Sequence, residues 1–98
     1  MPSTTIPASA IEIIPQNLLR KSLTFQNEDT ALNVFIKQEN GKLLTVSATD
    51  HDFIVPPGGS ISLNSEIDGY QSVQARWTGI SSSGTPRISF FESEDIKR

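Results

Sequence analysis

No cysteine occurs in the chain, which removes disulfide staples and thiolate chemistry together and leaves the redox compartment undetermined. A single histidine, His51, is the whole supply of groups that titrate near neutrality without help. No apolar run approaches the roughly 20 residues that a membrane-crossing helix needs. Basic charge is scarce: eight Lys and Arg against eleven Asp and Glu give a net charge of −3 and no field that would draw in phosphates. Nucleic acid and membrane are therefore not expected partners. The start, MPSTTIPASA, has neither the basic opening nor the apolar centre of a signal peptide, so synthesis in the cytoplasm is expected.

Apolar content is also low, at 36% without glycine, and a chain of this length has room for one core. Three segments are expected: a flexible arm over residues 1–10, rich in Ser, Thr, Pro and Ala; a folded domain over 11–92; and a charged tail over 93–98. Sparse apolar content suggests that stability draws on a partner or on self-association.

What the chain does have is a period of two, the spacing that sends alternate side chains to opposite faces of a sheet. Ile11 and Ile13 begin it. Leu19, Leu23 and Phe25 alternate with polar residues, Lys21 being discordant, and Leu32, Val34 and Ile36 share a face with Phe35 opposite. Asn40–Gly41 predicts a tight turn pairing 32–39 with 42–48. Pro56-Pro57-Gly58-Gly59 stops any regular ladder and a new strand begins beyond it at Ser60–Asn64, with Ile61 and Leu63 on one face. Ile67 precedes an Asp68–Gly69 turn; Val73, Ala75 and Trp77 read as the inner face of a further strand; and Ile88 and Phe90 point inward in the last. At most one helical turn fits at Pro15–Leu19. The pattern predicts an all-β fold, a compact β-sandwich or jelly-roll-like small barrel of about seven short antiparallel strands with an extended N-terminal arm.

Groups suited to catalysis are thin, and no enzymatic activity, metal or cofactor is expected. His51 stands between Asp50 and Asp52, but strand alternation turns it away from both. Serines abound without a G-x-S-x-G elbow. Pro57-Gly58-Gly59-Ser60 lacks the lysine and the helix of a phosphate-binding loop. Glu92, Glu94 and Asp95 read as solvated. Trp77 and Tyr70 could stack on sugars from an outer face, yet alternation sends Trp77 inward.

With these residues in view, the order Asn17 to Asn27, Val34-Phe35-Ile36, Pro57 to Leu63, Ala75 to Ile80 and Arg87 to Glu92 resembles small tailed-phage virion structural proteins. These share an R-x-S-L-x-x-x-N strand, a P-G-G-S turn and an A-x-W-x-x-x-S-S-x-G-T segment, and the likeness spans residues 15–92. The resemblance implies a non-enzymatic capsid decoration or cement protein located in the virion. Its partners would be the major capsid protein or other virion proteins, and it would form a homo-oligomer, with a trimer favoured. It carries over no binding residues, so the contact positions chosen are Thr4, Thr5, Ile6 and Pro7 of the arm with Arg20 and Arg76 of the body. The alternative is a carbohydrate-binding or tail-fibre-associated adhesion module.

Overall fold

A computed structural model describes residues 3–39, 44–64 and 70–94. The Asn40–Gly41 turn, the Ile67 and Asp68–Gly69 segment, and residues 95–98 lie outside them. The chain is all-β. In order run β1 (Ser3–Thr5), β2 (Ile11–Ile14), β3 (Arg20–Asn27), β4 (Val34–Gln38), β5 (Phe53–Val55), β6 (Ser60–Asn64), a one-turn helix α1 (Tyr70–Gln74), β7 (Trp77–Ser81) and β8 (Arg87–Glu94). Two four-stranded antiparallel sheets result, ordered β1-β8-β3-β6 and β2-β7-β4-β5. Every connection between consecutive strands except β4 to β5 passes from one sheet to the other.

One core is filled from both sheets. Leu23, Phe25, Leu63 and Ile88 come from the first and Ile13, Ile14, Val34, Ile36, Val55 and Trp77 from the second, joined by Ile6 and Val73. The Phe25 and Trp77 rings meet edge to face at 5.7 Å, one from each sheet. Each such side chain taken fully out of water contributes on the order of 1.5–3 kcal/mol. Trp77 satisfies its indole N–H on the Ser72 carbonyl at 2.9 Å, so its burial leaves no donor unpaired.

Two β-bulges explain where the period of two breaks. Arg20 pairs with Glu94 but Ser22 with Ser93, so Lys21 is one residue too many for β8. The phase shifts there: Arg20 turns inward and is wholly buried, while Leu19, expected on the inner face, is 54% exposed. In β2 the ladder skips Ile13, and both Ile13 and Ile14 end in the core.

Three expectations are corrected. The partner of β4 is β5, at Phe35↔Ile54, rather than 42–48; the described part of that segment instead makes a small Ser47↔Asp50 bridge. Val73 and Ala75 are buried as expected but belong to α1 and the bend after it, not to a strand with Trp77. The described residues hold eight strands, of which Phe53–Val55 and Ser3–Thr5 are not among those expected; the latter pairs with β8 at Ser3↔Ser89 and Thr5↔Arg87. A three-residue strand with one apolar neighbour has no alternation to read. Ile6 follows it into the core at 0% exposure, with its N–H on the Pro86 carbonyl at 2.8 Å, and the Pro7 carbonyl accepts from Ser81 N–H at 3.0 Å. The segment read as an arm thus closes one side of the core. At the other end β8 runs to Glu94, two residues into the segment read as a tail.

Candidate functional site

The charged and amide groups that enter the interior act as fasteners. Arg20 donates from Nη1 to the Val73 and Ala75 carbonyls at 2.8 and 2.9 Å, from Nη2 to the Pro15 carbonyl at 2.7 Å, and from Nε to Glu92, tying α1 and the β2–β3 turn to sheet one. Asn27 does the same for the β3–β4 crossing: its Nδ2 donates to the Leu32 and Val55 carbonyls and its Oδ1 accepts from Asp29 N–H, while Asp29 accepts from Ala31 and Leu32 N–H. No motif announced Asn27. Its signal was only a polar residue standing in phase with Leu23 and Phe25.

Glu39 is the third fastener, buried just past β4. Its carboxylate accepts from Thr45 N–H at 2.8 Å, from the Thr45 hydroxyl, and from the Thr78 hydroxyl at 2.6 Å, with Lys37 Nζ 4.0 Å away. Burial pushes this carboxyl upward, but the Thr45 and Thr78 hydrogen bonds and the Lys37 charge together outweigh it, so its pKa is held below the ordinary value. A carboxyl depressed in the folded state adds stability that is present above its unfolded pKa and lost as pH falls through its folded one. Acid titration of the unfolding midpoint should show that loss below the ordinary glutamate range. Glu39→Gln should abolish that part of the acid dependence and cost about 1–3 kcal/mol at neutral pH.

The contact positions expected from sequence divide on placement. Thr5 is exposed on β1 and Thr4 and Pro7 are half-buried, but Ile6 is in the core. Arg20 is inaccessible, its donors committed inside the chain, which corrects its reading as a contact residue. Arg76 is half-buried and donates to the Glu39 carbonyl at 2.6 Å, with Glu12 at 4.0 Å, so it too braces the fold. Arg20 and Arg76 form no shared patch with residues 4–7.

The Asp50-His51-Asp52 run diverges. Asp50 binds Lys37 Nζ at 2.7 Å, Asp52 accepts Gln38 N–H at 2.8 Å, and the His51 ring lies 4.8 Å from that of Phe35, with Nδ1 3.1 Å from the Ser47 carbonyl. The Asp50 hydrogen bond raises the pKa of Lys37 against a smaller effect of burial. Glu92, read as solvated, is the ion partner of Arg20. Pro57–Gly58 is a turn, as expected, with Gly58 at φ +71° and Gly59 N–H on the Pro56 carbonyl. A shallow depression of about 460 Å³ beside it is lined by Gln26 to Thr30, but the Asn27 and Asp29 side chains there already bind the backbone.

The feature suited to contact is apolar. Across the outer face of sheet two, Ile54 stands beside Phe35 and Phe35 beside Ile80 by register, with Ile54 47% exposed. Phe53, one residue earlier in β5, turns to the opposite, core-facing side with Ile36, its ring 6.0 Å from that of Trp77. Sequence reasoning saw only that Phe35 made its strand two-sided, because the row comes from three separated strands. No protein-family model matches the chain, no curated protein matches it, and no solved structure matches it.

Proposed function

We propose that the chain is a non-enzymatic structural domain, a β-sandwich that docks on a larger protein assembly, and specifically a capsid decoration or cement protein of a tailed phage. The single observation that carries the docking role is the Ile54–Phe35–Ile80 row. A row of large apolar side chains on an outer sheet face has no folding role of its own and suits the dry centre of a protein interface. The internal use of Arg20, Asn27 and Glu39 favours the same reading, since these groups hold strands in place rather than line a cleft. The phage assignment is supported by the sequence resemblance alone. A sugar-stacking role finds less support, because Trp77 is 1% exposed with its N–H satisfied.

Co-sedimentation with assembled phage heads and with unassembled capsid protein tests the proposal. The wild-type chain should pellet with assembled heads, and Ile54→Asp should abolish this while moving stability by no more than about 0.5 kcal/mol, as for other exposed positions. A wild-type chain that binds neither form of capsid protein removes the reading.

A further inference from the structure

The four sheet edges are not equally protected. Strand β1 is three residues long; β2 carries a bulge and Glu12 and runs into Pro15; β5 is three residues long and runs into Pro56-Pro57. Short length, bulges, charge and proline are the usual devices that stop an edge from pairing with another chain. Strand β6, Ser60-Ile61-Ser62-Leu63-Asn64, has none of them: it is five residues long, straight in register with β3, uncharged and free of proline.

The outer side of β6 can be assigned from its pairing. Asn27 N–H bonds the Gly59 carbonyl and Gly58 N–H bonds the Asn27 carbonyl, so Asn27 directs both backbone groups toward β6. Alternation then makes Phe25↔Ile61 and Leu23↔Leu63 the hydrogen-bonded pairs. Ser60 and Ser62 therefore turn their N–H and C=O groups to the far side, where β6 has no neighbour strand among the described residues.

We propose that β6 is a self-association edge, on which a second copy of this chain adds its own β6 antiparallel about a twofold axis at Ser62. The sequence is self-complementary in that register. Ser62 faces Ser62, Ile61 faces Leu63 on the side that continues the core, and Ser60 faces Asn64 on the side that continues the serine-lined outer surface. Opposed residues share a face, so apolar meets apolar and no like charges meet. Such a contact uses one patch twice and closes at two copies, whereas a trimer needs two different patches. This contact lies in sheet one, apart from the Ile54 row, and does not depend on the docking role proposed for that row.

Sedimentation of the full chain decides it. The wild-type chain should have the mass of two chains. Ser62→Lys sets two ammonium groups against each other on the axis and should reduce the mass to one chain at low salt, with partial recovery as salt screens the repulsion. Ser62→Pro removes the outward N–H without touching the bonds to β3, a substitution edge strands accept, and should give one chain at any salt. Far-ultraviolet circular dichroism confirms folding, and if the proline variant unfolds, the lysine variant alone decides. A wild-type chain that is monomeric at all concentrations, a trimer, or a dimer indifferent to Ser62→Lys overturns the proposal.

Discussion

Replacing Arg20 by alanine is expected to cost about 3–5 kcal/mol of unfolding free energy, since three carbonyls lose a charged donor at roughly 1–3 kcal/mol each. The guanidinium is wholly buried and reaches three backbone carbonyls besides Glu92. Without it, the Val73, Ala75 and Pro15 carbonyls lose their partner in a region that water enters poorly. Against a total stability of about 5–15 kcal/mol for a domain of this kind, the loss brings the variant near to unfolding at room temperature. Glu92→Gln should cost less, about 1–3 kcal/mol, since the amide oxygen can still accept from Arg20 Nε and the carbonyl bonds persist, while the buried guanidinium loses its counter-charge. Urea unfolding of both variants checks the contrast. Equal losses would mean that the ion pair, and not the carbonyl cluster, carries the stability.

Ile6→Ala should lower stability by about 2–5 kcal/mol, the range for shortening a fully buried aliphatic side chain to alanine. A residue in a loose arm would give no change, so this substitution separates a segment that seals the core from one that hangs outside it. Ile6 belongs to the core cluster at 0% exposure, and its N–H is bonded to the Pro86 carbonyl. Thr5→Ala on the exposed face of β1 is the control and should fall within about 0.5 kcal/mol of the wild type. Thermal or denaturant unfolding reads both.

The strands most visible in the sequence are those with a clean period of two and a half-buried sheet position: Leu23 and Phe25, Val34 and Ile36, Ile61 and Leu63, Ile88 and Phe90. What stayed hidden has physical causes. A bulge at Lys21 reverses the alternation, so the local pattern assigned Leu19 to the core and Arg20 to the surface. Val73, Ala75 and Trp77 keep apolar spacing while the backbone changes from helix to strand between them, and spacing over so few residues cannot distinguish the two. Pairing was less legible still, because the residues beside one another in a sheet come from distant parts of the chain. The Ile54 row and the Arg20 cluster are both products of such pairing, and neither leaves a mark on any one segment.

Because the chain switches sheets at nearly every strand, Thr5 must find Arg87 and Leu23 must find Glu92 before either sheet has a neighbour to lean on. Closing such large loops forfeits chain entropy well before burial rewards it, which places the protein among the slow two-state folders, on a timescale of roughly milliseconds to seconds. Fragments cut between strands would inherit half of each sheet and no complete interior, so the ability to fold belongs to the chain as a whole and to none of its pieces.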